Sequence, residues 1–315
     1  MSGPKIVVIG GGTGLSVLLR GMKTFPVDLT AIVTVADDGG SSGRLRKELQ
    51  IPPPGDVRNV LVALAEVEPL VERMFQHRFE AGTGLNGHSL GNLLLAGMTS
   101  ITGDFARGIS ELSAVLNVRG QVLPSANQSV DLVATFTDGT KVYGESNIPK
   151  AGGKIQHVAL DTTEVTALPD TLKAIREADI ILLGPGSLYT SVLPNLLVPG
   201  IAEEIAAAEA KKVYICNVMT QQGETDDYTA FQHYEGLKRH IGEKLVDTVL
   251  VNNAPIQTEL VKKYAEEAAA PVACDLEPFA RAGVEVIQDR FITEEGGVVR
   301  HDAEKVTRTL LNMQG

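Results

Sequence analysis

One pattern recurs along the chain: a short continuous apolar run, a break rich in glycine or aspartate, then apolar positions at helical spacing. It is clearest at the start. Lys5 leads into Ile6-Val-Val-Ile9, a β-branched run with no polar face, which stops at Gly10-Gly11-Gly12-Thr13-Gly14. Leu15, Leu18, Leu19 and Met22 then fall at i, i+3, i+4 and i+7, which is one face of a helix. A strand, a glycine turn and a helix in direct succession aim free backbone N–H groups and the positive end of a helix dipole at an anion. Gly10, Gly11, Gly12, Thr13 and Gly14 are therefore candidate phosphate-binding positions.

The pattern repeats with variations. A second run, Leu29–Ala36, ends in Asp37-Asp38-Gly39-Gly40-Ser41-Ser42-Gly43; a helix over 44–49 follows and breaks at Pro52-Pro53-Pro54-Gly55. Asp56 suits the N-cap of the next helix, where Val57, Val60, Leu61 and Leu64 share a face. Helical spacing returns over 70–79, and Ser89, closing the glycine-rich loop 82–89, is placed to cap another helix. Phe105, Ile109, Leu112 and Leu116 mark one more. The period then changes: 130–136 and 141–143 flank Thr137-Asp138-Gly139-Thr140, the signal of a tight hairpin. With 155–160 this predicts a small antiparallel β insertion over about 120–166. Beyond it come a helix over 170–177, a strand over 179–183 ending in Gly184-Pro185-Gly186-Ser187, a helix over 201–210 and a strand over 212–217. The polar stretch Met219–Thr225 follows, then further strands at 248–252 and 284–288, a helix at 259–268 and a last helix capped by Asp302. Strands separated by helices predict an α/β fold, a doubly wound and mostly parallel sheet, as one domain over 1–315.

Charge and composition narrow the classes. A formal net charge of −11 opposes a nucleic-acid or anionic-membrane surface, while one phosphate can still be held by backbone N–H groups. Only three residues separate Met1 from the strand pattern, which leaves no room for a signal peptide, and no apolar run suits membrane insertion. Cys216 and Cys274 make no disulfide framework, so the reducing cytoplasm is the expected location.

In such a sheet a ligand sits at the carboxyl ends of the strands, near the switch in strand order. Three loops have that position: 10–14, 37–43 and 184–191. The first departs from the dinucleotide fingerprint, because Gly10, Gly12 and Gly14 are two apart and Leu15 stands at the last glycine place. Asp37 lies where a ribose-binding acid would sit, but Asp38 beside it adds a second option, a Mg²⁺ ion shared with phosphate oxygens; a plain Asp-Gly turn is the third. Arg58 suits either a phosphate clamp or an ion pair with a neighbouring acid, and Asn59 belongs to the same polar knot. His88, Ser89 and Asn92 read as pocket wall or helix cap rather than as a nucleophilic triad. No second His or Cys stands at zinc spacing.

Taken in order, Gly-Gly-Gly-Thr-Gly, Asp-Asp-Gly-Gly-Ser-Ser-Gly, Pro-Pro-Gly-Asp-Val-Arg-Asn, Gly-His-Ser-Leu-Gly-Asn-Leu, Gly-Pro-Gly-Ser-Leu-Tyr-Thr-Ser and Asn-Val-Met-Thr-Gln-Gln-Gly-Glu-Thr closely resemble the YvcK/CofD family over nearly the full length. The YvcK branch, the gluconeogenesis factors of bacteria, is the nearer one. The resemblance implies a modified Rossmann domain with a nucleotide diphosphate ligand. That ligand is a UDP-sugar in the YvcK branch; in the CofD branch it is the guanine-nucleotide side of a phospholactate transfer. It further implies a role in cell shape and wall-precursor balance during gluconeogenic growth. The positions that match its pocket are Gly12, Thr13, Asp37, Asp38, Asn59, His88, Asn92, Gly186, Ser187 and Asn217. Tyr264 and Arg300 join them, the first to stack on a base or sugar and the second to reach a phosphate. Two functions follow: a binding regulator that signals to a protein partner, with homo-oligomers an option, or a Mg²⁺-dependent transferase using the same donor pocket. Absence of Trp and a low aromatic content leave no marked site for a flavin-like acceptor, which favours the regulator. An NAD-dependent hydride enzyme is disfavoured by the broken fingerprint, although GDP or NAD would be chemically acceptable in such a pocket.

Overall fold

A computed structural model describes residues 3–162 and 164–313. The apolar runs become the strands of one parallel sheet. In chain order β1 (Lys5–Gly10), β2 (Asp28–Val33) and β3 (Gln121–Pro124) come first. Next, β4 (Leu132–Phe136), β5 (Lys141–Tyr143) and β6 (Ile155–Leu160) make a separate antiparallel sheet, ordered β5-β4-β6. Then β7 (Ile180–Leu183), β8 (Lys211–Ile215), β9 (Thr248–Asn252) and β10 (Glu285–Asp289) complete the main sheet. A hairpin of β11 (Ile292–Glu295) and β12 (Val298–His301) follows. The main sheet is ordered β10-β9-β8-β7-β1-β2-β3 with every pairing parallel. This is the expected doubly wound α/β fold.

Helices fill the connections. The first half holds α1 (Gly12–Met22), α2 (Gly40–Leu49), α3 (Gly55–Leu64), α4 (Pro69–Gln76), α5 (Leu90–Thr102) and α6 (Phe105–Val115). The second half holds α7 (Pro169–Arg176), α8 (Leu193–Leu196), α9 (Ile201–Ala207), α10 (Ala230–Ile241), α11 (Thr258–Glu266), α12 (Leu276–Ala282) and α13 (Ala303–Asn312). Strands covered on both faces need apolar residues at every position, and Ile6–Ile9 and Ile180–Leu183 are all buried. Burying each such side chain contributes roughly 1.5–3 kcal/mol. Leu15, Leu18, Leu19 and Met22, the predicted face of α1, are fully buried against the sheet. None of the described helices is long and apolar enough to cross a membrane.

Several expectations change in detail. The second strand ends at Val33, where Thr34 N–H crosses to the Gly10 carbonyl and turns the chain over the end of β1. The helix expected from Arg44 begins at Gly40. Asp56 is not the cap of its own helix: Pro54 holds that place and Asp56 lies in the first turn. The insertion is narrower at its start, because residues 121–124 extend the main sheet beside β2. Ser89 and Asp302 do cap α5 and α13, accepting from Asn92 N–H and Lys305 N–H.

Candidate functional site

The order of the main sheet reverses at β1. The chain moves outward through β2 and β3, then returns to the other side of β1 at β7. Loops leaving β1 and β7 therefore part at their carboxyl ends, and a crevice opens between them. A cavity of about 670 Å³ lies there, within the usual range for a small-molecule site. Gly11–Gly14 form one wall and Gly186, Ser187 and Ser191 the next. Asn217 and the stretch 218–222 continue the lining from the end of β8, and Tyr264, Arg300 and His301 belong to it as well.

The glycines have separable reasons. Gly12 opens α1 at φ +70°, with nothing nearer than 3.9 Å to an added Cβ, so conformation and not crowding selects it. Gly10 and Gly11 are packing positions: an added Cβ would lie 2.7 Å from the Pro185 carbonyl at the first, and 2.7 Å from Asp56 and from Thr34 at the second. Two side chains hold the loops together. Asn217 donates to the Gly186 carbonyl at 3.1 Å, and Gln221 donates to Ser187 Oγ at 2.7 Å.

Asp56 has an unforeseen role. Its Oδ2 accepts the Gly12 N–H at 2.8 Å, so a carboxylate from α3 caps α1 across 44 residues. One of the N–H groups expected to face a phosphate is thus already engaged, while those of Thr13 and Gly14 lack intrahelical partners by their position in the first turn. Burial, with the Asp37 carboxylate adding to it, pushes Asp56 up from 3.8 to about 6 against the Gly12 hydrogen bond. The native state therefore keeps a proton that the unfolded chain loses near 3.8. The resulting stabilisation is complete below that pH and disappears as pH rises through about 6. The contribution of Asp56 to stability is expected to fall by on the order of 1–3 kcal/mol across this window. Asp56→Asn, which keeps an acceptor for Gly12, should remove that contribution, so the stability difference between wild type and variant should change by that amount across the window; denaturation midpoints of both proteins measured from pH 4 to 7 check it.

Of the residues singled out in the sequence, Gly11, Gly12, Thr13, Gly14, Gly186, Ser187, Asn217, Tyr264 and Arg300 line this cavity. Tyr264 Oη accepts the Val299 N–H at 3.1 Å, and Arg300 donates to the Val299 carbonyl at 3.2 Å. Gly10, Asp37, Asp38, Arg58, Asn59, His88, Ser89 and Asn92 do not line it. His88, Ser89 and Asn92 are buried around Ser41, whose hydroxyl meets His88 Nδ1 at 2.9 Å and accepts from Asn92 Nδ2 at 3.1 Å. Burial, helped by the Arg44 charge, lowers the His88 pKa. Arg58, also buried, meets no carboxylate within salt-bridge range among the described residues; it donates to Asn59 Oδ1 at 2.7 Å and Gln76 Oε1 at 3.5 Å.

Asp37 and Asp38 diverge. Asp37 accepts the Gly39 N–H at 2.9 Å, turned toward Gly55 and Asp56, whereas Asp38 accepts the Ser146 N–H of the insertion at 2.9 Å. They are not a ready pair for one ion, and among the described residues no group of three or more His, Cys, Asp or Glu is arranged to hold a metal. Sequence reasoning missed Ser191, Gln221, Glu224 and His301 in the cavity lining and Ser41 beside it. Gln221 and Glu224 had a signal, since they stand in the polar stretch that follows a strand end. His301 donates Nε2–H to the Cys216 carbonyl at 3.2 Å, and burial holds its pKa at about 4, so the ring is neutral with Nδ1 as an acceptor.

Comparison with known proteins agrees with this architecture. Residues 6–292 match the family described as 2-phospho-L-lactate transferase CofD. A protein of Halalkalibacterium halodurans named "Gluconeogenesis factor" is 64% identical, the alignment covering 99% of this chain and 97% of that one. A Bacillus subtilis protein of the same name is 60% identical, covering 98% of each. The crystal structure of protein BH3568 from Bacillus halodurans superposes with a TM-score of 0.97 at 64% identity, covering 98% of this chain and 99% of that one. The chain therefore belongs to the CofD family, on the YvcK branch whose members are named gluconeogenesis factors.

Proposed function

We propose that the cavity binds a nucleotide diphosphate, specifically a UDP-sugar, without turnover, and that the bound state is read by a protein partner. The observation that carries this reading is the cavity's division of labour. The amino end of α1 and the Ser187 loop, in contact through Gly11 and Gly186, both line it and suit phosphates, and Tyr264 with Arg300 in the same lining suit a base or sugar. The name shared by the relatives, gluconeogenesis factor, supports a role in gluconeogenic growth; wall-precursor balance and cell shape as the controlled outputs, and the cytoplasm as the setting, belong to the same proposal.

A second reading, transfer of a phosphoryl-containing group from the same donor, is favoured by the CofD family match. In it Asp37, turned toward Asp56 and α1, would contribute one ligand to Mg²⁺, which would screen charge on the diphosphate. Calorimetric titration with UDP-N-acetylglucosamine, GDP and NAD, with and without Mg²⁺ and followed by a search for product, separates the readings. UDP-sugar binding with no product is the expected result. Mg²⁺-dependent transfer to an acceptor would overturn it in favour of the enzyme.

A further inference from the structure

Three hydrogen-bonding side chains of the cavity lining gather around the end of β12. Tyr264 Oη accepts the Val299 N–H at 3.1 Å, Arg300 donates to the Val299 carbonyl at 3.2 Å, and His301 is the next residue. A phenol that accepts a backbone N–H still has its own proton to give, and Tyr264 gives it to none of the described residues. Arg300 spends one N–H on its neighbour, and the rest of its fork has no partner among the described residues. Both side chains are therefore donors.

His301 is of the opposite kind. Its Nε2 lies 3.2 Å from the Cys216 carbonyl, which only accepts, so that nitrogen carries the proton and Nδ1 carries the lone pair. Turning the ring over would give up the Cys216 hydrogen bond. Among the described residues Nδ1 has no partner, and it is not one of the enclosed atoms left without one, so it stays open to solvent in a residue that lines the cavity. A pKa of about 4 keeps the second proton, which would make Nδ1 a donor, off the ring at neutral pH. The lining here presents two donors and one fixed acceptor.

That set sorts the bases. The Watson–Crick edge of uracil is an imide, one ring N–H flanked by two carbonyl oxygens, so it supplies one donor and two acceptors. Cytosine would bring a ring lone pair against Nδ1 and an amino group against a donor. Guanine has the ring N–H but only one carbonyl, and adenine has neither. A site built to hydrogen-bond one pattern rejects the others because its own polar groups are left unpaired.

We infer that His301 Nδ1 accepts the ring N–H of an imide base, which makes His301 the residue that selects uracil over cytosine, guanine and adenine. The inference rests on the nucleotide-diphosphate reading and deepens it by naming how the base is chosen. The test compares UDP, CDP and UDP methylated at N3 by calorimetry at neutral pH, the last replacing only the ring N–H. UDP is expected to bind at least about tenfold more tightly than either, a gap of roughly 1.4 kcal/mol. His301→Gln, whose amide can turn its oxygen or its N–H to the ring, should narrow the ratio of UDP to CDP to about threefold or less, and His301→Asn is the second variant should the first misfold. A smaller gap in the wild type, or a ratio that stays above threefold in a folded variant, overturns the inference while leaving the nucleotide reading intact. Failure of UDP itself to bind overturns both.

Discussion

Gly186→Ala is expected to abolish nucleotide binding and to lower stability by about 2–4 kcal/mol. Gly186 adopts φ +149°, a region closed to side chains, and an added Cβ would lie 2.9 Å from Ser191 Cβ and 3.1 Å from the Gly11 carbonyl oxygen. The strained backbone alone costs on the order of 1–3 kcal/mol, and neither neighbour is a flexible tip that can swing away. Relief requires the 184–191 loop to part from the turn after β1, which spreads the walls that phosphate must bridge. Urea denaturation reads the stability and calorimetry the affinity. Affinity within twofold of wild type would remove this contact from the site. Gly12 offers a contrast: its added Cβ meets no atom closer than 3.9 Å, so Gly12→Val tests a left-handed backbone more than a ligand contact.

The second large effect belongs to Arg300. Arg300→Ala is expected to weaken binding of UDP or GDP by roughly 10- to 150-fold, the range that follows from losing a hydrogen bond to a charged group worth about 1.5–3 kcal/mol. Its guanidinium stands in the cavity wall, and among the described residues it makes no salt bridge that would already occupy it. Lysine should restore little, since a point charge does not reproduce the planar fork. Thermal unfolding should move little, because its one hydrogen bond goes to the neighbouring Val299 carbonyl. A large loss of stability with unchanged affinity would make Arg300 structural.

The alternation of strands and helices was readable because parallel strands covered on both faces cannot tolerate polar residues, so Ile6–Ile9 and Ile180–Leu183 stand out as unbroken runs. The caps Ser89 and Asp302 were readable because a cap acts within three residues of itself. What escaped is what depends on distance along the chain. β3 is four residues long and looked like the edge of the insertion; α10 mixes Tyr, His, Gln and Lys, and the hairpin of β11 and β12 is heavily charged. No local pattern says that Asp56 caps a helix 44 residues earlier or that Ser41 gathers His88 and Asn92. Two of the three strand-end loops line the cavity and the third, 37–43, does not; its adjacent Asp37 and Asp38 face different partners, which spacing cannot reveal.

The placement of β1 between β2 and β7 also sets when the protein can assemble. Ile6 pairs with Leu29 on one side and with Ile180 on the other, about 170 residues later. During synthesis at roughly 5–20 residues per second, that second edge waits some 9–35 s for its neighbour. Until β7 arrives, Ile6–Ile9 form an exposed, β-branched edge suited to wrong pairing, and the turn at Gly12 has no Gly186 loop opposite it. Such non-local closure is slow. A chaperone or rapid covering by α1 would matter most in that interval, and a nascent chain halted short of residue 180 would carry the glycine turn without the site.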